Sequence, residues 1–370
     1  MRIGVPREIK VEEYRVGLTP GSVRELVANG HVVIVESGAG AGIGCADSAY
    51  QEAGASIAPD AAAIFAAADM VVKVKEPQPG EWAMLREGQL LFTYLHLAPD
   101  PAQTRGLLQS GATAIAYETV TDAHGGLPLL APMSEVAGRL SIEAAATALK
   151  RTNGGSGTLL GGVPGVSPAR VLVLGGGVVG THAARMAVGL GAEVTIVDRS
   201  LPRLRALDEL FAGRVRTRAS TIATIEDELA AADAVIGAVL VAGASAPRLV
   251  TRAMLGLMRP RSVLVDVAID QGGCFETSKP TTHADPTYKV DDIIHYCVAN
   301  MPGSVPRTST EALNNATLPY VLALAGKGLD ALRDDPGLLE GLNIHRGQCT
   351  NAAVASAQGL PSLSPAAALA

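Results

Sequence analysis

The stretch from Ala169 to Asp198 reads ARVLVLGGGVVGTHAARMAVGLGAEVTIVD, and it decides the fold. A short apolar run of strand type is followed by Gly175-Gly176-Gly177-Val178-Val179-Gly180, which fills the pattern G-x-G-x-x-G, then by a helical pattern and a second strand. The first glycine of this pattern permits a tight turn, the second lets a pyrophosphate approach the backbone, and the third allows close packing of helix on strand. The unpaired N–H groups of the new helix attract the anion. We therefore expect a βαβ unit that binds a dinucleotide.

The acid at the end of the second strand indicates which dinucleotide binds. Asp198 lies 23 residues after Gly175, where an acidic residue that binds a ribose 2′-hydroxyl belongs. A carboxylate there repels a 2′-phosphate, so NAD is favoured over NADP. The glycine pattern alone is weak in a chain with 41 glycines, and a glycine-rich structural turn is the alternative. Its position between two strands, with the acid at the expected distance, favours the dinucleotide.

Composition bounds the class of protein. A chain of 370 residues exceeds what one hydrophobic core usually supports, so two domains are expected. The net charge of −6 argues against partners such as nucleic acid or an anionic membrane surface. No run approaches about 18 uninterrupted apolar residues, so no membrane span is expected. The N-terminal MRIGVPREIK is typical of a first strand, and the four cysteines form no C-x-x-C pair, so we expect reduced thiols in a cytoplasmic protein: Cys45, Cys274, Cys297 and Cys349.

Strands alternate with helical segments in both halves of the chain, which predicts an α/β fold with parallel pairing. The first half contains the predicted strands Arg2–Pro6, His31–Val35, Met70–Lys75, Leu90–Leu95 and Thr113–Tyr117. The second half contains the predicted strands 171–174, 194–197, 215–218, 234–239, 263–267 and 293–298. These six strands match a doubly wound parallel sheet with the order 3-2-1-4-5-6.

Two long helical patterns define the expected domain boundaries. Ser134–Lys150 has a helical period, with Ser134 as its expected cap, and Arg307–Leu324 follows the proline-rich break Met301–Pro306. The second helix can return to the first domain and make it discontinuous. We therefore expect two Rossmann-like domains: 131–305 as the dinucleotide-binding domain, and 1–130 plus 306–370 as the substrate domain.

Polar residues stand at the ends of several predicted strands, where open α/β sheets bind their ligands. Lys75 ends one strand, His96 follows the next, Asp270 follows the strand 263–267, and Arg15 lies in the loop after the first strand. Cations hold a substrate carboxylate, an imidazole titrates near neutrality, and a carboxylate steers water or an amine. This set is what hydride transfer with an amino or hydroxy acid requires, and we expect it to face one cleft between the domains.

Each of these residues also has a structural interpretation. A histidine at a strand end is often held by hydrogen bonds, Arg15 and Lys75 are by default solvated cations, and capping alone can explain Asp270. The other histidines show no spacing typical of metal ligands, so no protein-built metal site is predicted: His31, His124, His182, His283, His295 and His345.

Several long strings resemble alanine dehydrogenase over nearly the whole chain. They are IGVPREIK..E.RV.LTP from Ile3, VKVKEP from Val72, FTYLHLA from Phe92, LLAPMSEVAGR from Leu129, the glycine motif, IGAVLV from Ile236, VDVAIDQGGCFE from Val265 and YCVANMPGSVPRTST from Tyr296. The resemblance implies NAD-dependent oxidative deamination of L-alanine to pyruvate and ammonium, and the reverse reaction. It also implies a split substrate domain, a central Rossmann domain and a cytoplasmic homo-oligomer, typically a hexamer.

The resemblance further implies a role for each matching residue. Arg15 and Lys75 would hold the substrate, His96 would be the general acid/base, and Asp270 would orient the amine or the attacking water. The pyrophosphate would lie on Val178 and Val179 beside Gly175, Gly177 and Gly180, and the adenosine ribose on Asp198. The other implied cofactor-binding residues are Ser134, Arg203, Ser220, Val239, Leu240, Val267, Ala268, Ile269, Lys279, Val298, Ala299, Asn300 and Met301.

Two other functions are compatible with the dinucleotide motif. The NAD-binding component of proton-translocating transhydrogenase has a similar opening and glycine motif, but that type lacks the histidine at the position of His96 in YLHLA. An inactive NAD-binding relative acting as a sensor would be favoured if Arg15, Lys75, His96 or Asp270 were missing. All four are present, which favours the dehydrogenase.

Overall fold

A computed structural model describes residues 1–239 and 247–370 of the chain. The chain forms two compact units. The first unit comprises Met1–Met133 and Gly303–Ala370, and the second comprises Ser134–Pro302. The first unit is therefore built from both ends of the chain.

Each unit contains one main β-sheet. The N-terminal part of the first unit supplies β1 Arg2–Val5, β2 Val32–Glu36, β3 Ser56–Ala58, β4 Met70–Val72, β5 Leu90–Thr93 and β6 Thr113–Ala116. The second unit supplies β7 Arg170–Leu174, β8 Glu193–Asp198, β9 Arg216–Ala219, β10 Ala234–Gly237, β11 Val263–Asp266, β12 Thr287–Val290 and β13 Ile293–Tyr296. The C-terminal part of the first unit adds β14 Leu342–His345 and β15 Gln348–Cys349.

The helices fill the connections between strands. In chain order they are α1 Pro20–Ala28, α2 Asp47–Glu52, α3 Ala61–Ala67, α4 Pro79–Trp82, α5 Pro101–Ser110, α6 Ala131–Ala148, α7 Val178–Gly189, α8 Leu201–Phe211, α9 Ile222–Ala231, α10 Pro306–Lys327, α11 Asp330–Asp334, α12 Pro336–Leu339, α13 Ala352–Gln358 and α14 Pro365–Ala368. Short 3₁₀ turns occur at Ala41–Ile43, Tyr117–Thr119, Arg151–Asn153, Ala253–Leu257, Ile269–Gln271 and Met301–Ser304.

The sheet of the first unit has the order β15-β14-β6-β5-β4-β1-β2-β3. The strands from β3 to β6 pair in parallel, so their carboxyl ends lie along one edge. β14 pairs antiparallel with β6, and β15 pairs antiparallel with β14. The C-terminal segment thus completes the sheet that the N-terminal segment begins.

The sheet of the second unit has the order β12-β13-β11-β10-β7-β8-β9. Six of these strands, β9-β8-β7-β10-β11-β13, pair in parallel and reproduce the predicted order 3-2-1-4-5-6. The doubly wound prediction is therefore confirmed. The edge strand β12, which pairs antiparallel with β13, is absent from the sequence prediction.

Helices cover both faces of this second sheet, which explains why its central strands β7, β10 and β11 are apolar without alternation. Val171 and Val173 of β7 pack on one face with residues of α6, α7 and α8. Leu172 and Leu174 pack on the opposite face with Ile225 of α9. Full burial of one such side chain stabilises the folded state by about 1.5–3 kcal/mol, so the strand is held from both sides.

Several element bounds differ from the prediction. The strand predicted at Met70–Lys75 ends at Val72, and the one predicted at Leu90–Leu95 ends at Thr93. In both places a carboxylate accepts hydrogen bonds from the backbone N–H groups that would continue the strand pairing: Glu8 after β4, and Glu118 after β5. Helix α6 begins at Ala131, so Ser134 lies inside the helix and is not its cap.

A helix that crosses a bilayer must be both long and predominantly apolar. Within residues 1–239 and 247–370, no helix combines the length and apolar character needed to cross a membrane.

Candidate active site

Three of the predicted site residues lie along the carboxyl edge of the first unit's sheet. Arg15 is in the loop after β1, Lys75 follows β4, and His96 follows β5. Since β1, β4 and β5 are consecutive in the sheet and parallel, these ends lie side by side. The structure thus brings Arg15, Lys75 and His96 to one edge, whereas Asp270 belongs to the second unit.

Arg15 is a buried cation with a fixed orientation. Its Nε donates to Glu13 Oε1 at 2.7 Å, its Nη2 donates to Glu13 Oε2, and its backbone N–H donates to Oε1 at 3.0 Å. Its Nη1 lies 3.0 Å from Met133 Sδ. Burial by itself opposes the charged form, but the bonds to Glu13 outweigh it and raise the pKa of Arg15. This environment excludes the interpretation of Arg15 as a solvated surface cation.

Lys75 is buried, and Glu8 holds its backbone. Glu8 Oε1 accepts hydrogen bonds from the N–H groups of Val74 at 2.6 Å and Lys75 at 3.3 Å, which ends β4. The other oxygen of Glu8 lies 3.0 Å from Nζ of Lys73, which also reaches Glu81 Oε1 at 2.8 Å. Burial raises the pKa of the Glu8 carboxyl, against the attraction of Lys73. A buried ion network therefore fixes the backbone from which the Lys75 side chain emerges.

His96 differs from Arg15 and Lys75, because its ring is exposed. Its backbone N–H donates to Glu118 Oε1 at 2.6 Å, and its Nδ1 lies 3.9 Å from the same oxygen. The His96 side chain is 45% exposed, and its ring stacks on Tyr94 with centroids 5.8 Å apart. An exposed ring does not fit a histidine held by structural hydrogen bonds. It is instead open to a ligand.

The carboxylate of Glu76 interacts electrostatically with both Lys75 and His96. Its carboxyl is largely buried and pairs with the ammonium group of Lys10. Burial raises the pKa of Glu76, but Lys75, Lys10 and His96 together outweigh burial and lower it. Lys75 and His96 therefore act on the same carboxylate, which supports their proximity at this edge.

The same type of hydrogen bond, from a backbone N–H group to a glutamate carboxylate, orients Arg15, Lys75 and His96. Glu13, Glu8 and Glu118 accept the backbone N–H groups of Arg15, Lys75 and His96, respectively. Sequence reasoning missed all three acids as functional residues. The only signal for Glu8 and Glu13 is their position in the loop after the first predicted strand, which also carries Arg15. Glu118 lies 22 positions from His96, so no local pattern connects the two.

In the second unit the glycine motif has the geometry that an anionic group requires. Gly175 has φ +99°, and a Cβ on Gly180 would lie 1.8 Å from the carbonyl oxygen of Gly175. A Cβ on Gly177 would meet nothing within 4 Å, so the space in front of it is open. Helix α7 starts at Val178 without a side-chain cap, which leaves the N–H groups of its first turn for a ligand. These residues fit a pyrophosphate.

Asp198 and Arg203 both contact the glycine loop. Asp198 ends β8, and its two oxygens accept the backbone N–H groups of Gly176 at 2.7 Å and Ser200 at 2.8 Å. Arg203 donates from Nε to the carbonyl oxygen of Gly176 at 2.6 Å and from Nη2 to Thr181 Oγ1 at 2.7 Å. A carboxylate retains further lone pairs for a ribose hydroxyl. A contact of Arg203 with the cofactor stays a prediction, because its guanidinium already holds the loop.

Most other predicted cofactor residues also follow the carboxyl ends of parallel strands. Ser220 follows β9, Val239 follows β10, Val267–Ile269 follow β11, and Val298–Met301 follow β13. Leu240 lies outside the described residues. Ser134 lies on α6, and the Lys279 ammonium lies 4.4 Å from the centroid of the Tyr288 ring. Their contacts with a cofactor stay predictions.

Asp270 lies on a loop that another acid organises. Asp266, the last residue of β11, is fully buried and accepts hydrogen bonds from the N–H groups of Ala268 at 3.1 Å and Cys274 at 2.8 Å, and from the Ser278 hydroxyl. Burial raises the pKa of Asp266. Asp270 is exposed inside the turn Ile269–Gln271, whose cap position is Ala268, so capping does not explain Asp270. Asp266 is a further residue that sequence reasoning missed.

The candidate residues form no metal centre of their own. Among residues 1–239 and 247–370, no group of three or more His, Cys, Asp or Glu side chains is placed to hold a metal ion. The acids Glu8, Glu13, Glu118 and Asp266 instead accept backbone N–H groups.

The fold and these residues define a two-unit α/β protein with a dinucleotide-binding βαβ unit. The chain belongs to the alanine dehydrogenase/PNT family: the model of the N-terminal domain matches residues 4–137, and that of the C-terminal domain matches residues 141–352. It is 61% identical over 361 residues to an alanine dehydrogenase of Halomonas elongata, with 97% of each chain covered. It is 53% identical over 371 residues to an alanine dehydrogenase of Mycobacterium tuberculosis, with 100% of each chain covered.

Two solved structures match almost the whole chain. An L-alanine dehydrogenase matches with a TM-score of 0.94 and 54% identity, covering 97% of this chain and 99% of that chain. A transhydrogenase from Sinorhizobium meliloti matches with a TM-score of 0.80 and 25% identity, covering 95% of this chain and 100% of that chain.

Proposed function

We propose that the chain catalyses the NAD-dependent oxidative deamination of L-alanine to pyruvate and ammonium, and the reverse reductive amination. Relatives at 53–61% identity that bear the name alanine dehydrogenase, and that align over almost all of both chains, support this function. The observation that carries the proposal is the edge of the first unit's sheet, where Arg15, Lys75 and His96 lie together. An oxidoreductase of a small amino acid needs these two cations and this imidazole.

The second unit is the dinucleotide-binding domain in this proposal. Gly177, Val178 and Val179 would hold the pyrophosphate of NAD, and Asp198 would bind the adenosine ribose. When bound there, NAD would supply the acceptor for the hydride from the α-carbon of alanine. The open space in front of Gly177 supports this assignment.

The first unit binds the substrate and moves protons. Arg15 binds the substrate carboxylate through its planar guanidinium group, and Lys75 supplies a point charge on the carbonyl side. His96 deprotonates the water that attacks the oxidised substrate and returns a proton to the departing amine. Asp270 orients the amine or the water.

His96 favours this function over that of a transhydrogenase component. A nucleotide-binding partner without substrate chemistry has no use for an exposed imidazole beside two buried cations. The ring of His96 is exposed, while Arg15 and Lys75 are buried on the same edge of the sheet. The identity of 25% to the transhydrogenase structure, against 54% to the alanine dehydrogenase structure, agrees with this choice.

The assembly and location belong to the same proposal. We expect a cytoplasmic homo-oligomer, and specifically a hexamer of the 37.8 kDa chain. Light scattering coupled to size exclusion measures the mass directly. A mass other than six times that of the chain would contradict the hexamer and leave the catalytic proposal unaffected.

Absorbance of the reduced cofactor tests the activity. NAD is mixed with alanine, glycine, serine or 2-aminobutyrate, and the rate of NADH formation is compared. We expect alanine to give the highest rate, because a pocket sized for a methyl group discriminates against each added or missing methylene by about 1–3 kcal/mol. No NADH formation with alanine, and none consumed with pyruvate and ammonium in reverse, would overturn the proposal.

A further inference from the structure

The backbone at His96 has an unusual conformation. His96 has φ +49°, in the left-handed region that residues other than glycine rarely adopt. Such a conformation persists only where neighbouring groups enforce it, and it is common at functional sites. A group that holds His96 in this conformation therefore decides where its ring points.

Strand register brings one acid to this position. β5 and β6 are parallel neighbours, with Thr93 paired to Ala116. His96 comes three residues after Thr93, and Glu118 comes two residues after Ala116. The segments that follow β5 and β6 therefore leave the sheet at the same level, and the Glu118 side chain contacts the backbone of the turn that carries His96.

The hydrogen bonds of Glu118 are with backbone N–H groups. Oε1 accepts the N–H of His96 at 2.6 Å, and both oxygens lie 3.2 Å from the backbone nitrogen of Leu95. Hydrogen bonds from N–H groups to a carboxylate are stronger than those to a neutral acceptor. The Glu118 side chain is 15% exposed, so water competes little for these bonds.

The aromatic neighbours support the ring but do not fix the turn. Tyr94 stacks on the His96 ring with an interplanar angle of 4°, and Tyr117 packs edge-on against Tyr94 with centroids 5.0 Å apart. The Tyr94 hydroxyl donates to the carbonyl oxygen of Leu129. These contacts restrain the plane of the ring, whereas the two backbone bonds to Glu118 restrain φ.

We propose that Glu118 is the positioning residue for His96: its carboxylate holds the Leu95–His96 backbone in the left-handed turn that presents the imidazole at the sheet edge. The inference rests on the proposed function, in which His96 transfers protons. Both oxygens of Glu118 accept backbone N–H groups of the turn, so the role that we assign to Glu118 is placement of the ring and not proton transfer. It acts on the reaction only through the placement of His96.

Replacing Glu118 tests the proposal in the full-length protein. Glu118→Ala is expected to lower kcat for alanine by about 10²-fold, the loss that a misplacement of about 1 Å produces, with KM for NAD near the wild-type value. Glu118→Gln keeps one carbonyl acceptor and is expected to retain more activity than Glu118→Ala. The matched control is Asp122→Ala, which also removes a carboxylate that accepts two backbone N–H groups in the first unit, those of His124 and Gly126. Its kcat should equal that of the wild type.

A double-mutant comparison separates positioning from general stability. If Glu118 acts through His96, then His96→Ala/Glu118→Ala has the same residual kcat as His96→Ala alone, because the residue that Glu118 positions is already absent. A further loss as large as that of Glu118→Ala in the wild-type background would overturn the proposal. It would show that Glu118 supports activity by another route.

Hydrogen exchange tests the placement without reference to turnover. In Glu118→Ala the backbone amides of Leu95 and His96 should exchange faster than in the wild type, while peptides covering 170–180 should be unchanged. Unchanged exchange at residues 95–96 would overturn the inference even if alanine is oxidised. Faster exchange in a protein that never oxidises alanine would support the positioning of His96 and contradict the proposed function.

Discussion

The carboxylate of Asp198 accepts a hydrogen bond from the backbone N–H of Gly176 at 2.7 Å. The acid that ends β8 is thereby joined to the glycine loop that ends β7. Since β7 and β8 are parallel neighbours paired from Arg170 with Glu193 to Leu174 with Val197, both groups lie at the same edge of the sheet. The residue expected to select the ribose therefore also shapes the turn expected to hold the pyrophosphate.

Asp198→Ala is predicted to weaken NAD binding and to relax the rejection of NADP. Hydrogen bonds to charged groups contribute about 1.5–3 kcal/mol, so the affinity for NAD should fall at least roughly tenfold. Calorimetric titration with NAD and NADP measures both effects. Asp198→Asn is the control, because it keeps an acceptor for Gly176 while removing the charge. An unaltered preference in both variants would contradict the ribose role.

Lys75→Ala is predicted to raise KM for pyruvate, because a charge-assisted hydrogen bond to the substrate is lost. The backbone of Lys75 stays bonded to Glu8, so the strand end should keep its form. Initial rates of NADH consumption at varied pyruvate give the constant. Lys10→Ala is the matched control, since it removes a more exposed ammonium group of the same unit. A wild-type KM in Lys75→Ala would count against a substrate contact.

The buried ion network is predicted to be essential for stability. Lys73 is fully buried between Glu8 and Glu81, and Lys73→Met would leave two buried carboxylates without their cation. The free energy of unfolding should fall by about 3–5 kcal/mol. By comparison, Arg2→Ala breaks the exposed ion pair with Asp69 and should lower the free energy of unfolding by only about 0–1 kcal/mol. Urea denaturation measures both values. Equal losses would refute a special role for the network.

Thiol reactivity gives a prediction that depends on pH. Burial raises the pKa of Cys274 to about 12, so its reactive thiolate is scarce until the pH approaches that value. Iodoacetamide at about pH 8 should leave Cys274 unmodified in the folded protein and modify it after denaturation. Cys45, which is only partly buried, provides the internal comparison. Rapid alkylation of Cys274 in the folded protein, detected by mass spectrometry, would contradict its placement.

The sequence predicted the central topology because most of the parallel strands of the second unit are short apolar runs separated by helical patterns. It missed β3, β12, β14 and β15, since these strands are short or contain polar residues such as His345 and Gln348. β14 pairs with β6, and Leu342 lies opposite Ile115. A pairing between segments so far apart in the chain leaves no trace in local periodicity.

Sequence reasoning can place a side chain at the edge of a sheet where that side chain ends a predicted strand or lies in the loop after it. Arg15, Lys75, His96 and Asp198 belong to this class. Glu8, Glu13, Glu118 and Asp266 were not found, because the local sequence pattern around an acid does not show which groups its carboxylate binds. Their partners are backbone N–H groups, which every residue except proline possesses. Only the three-dimensional structure reveals which N–H groups these acids accept.

We propose that His96, on the first unit's sheet edge, transfers protons for a reaction whose cofactor the second unit binds. The most direct test is His96→Ala, measured by kcat for alanine and by calorimetric titration with NAD. We predict a loss of about 10²- to 10⁴-fold in kcat, the contribution typical of a general acid/base, with the affinity for NAD nearly unchanged. A kcat equal to that of the wild type would contradict the account.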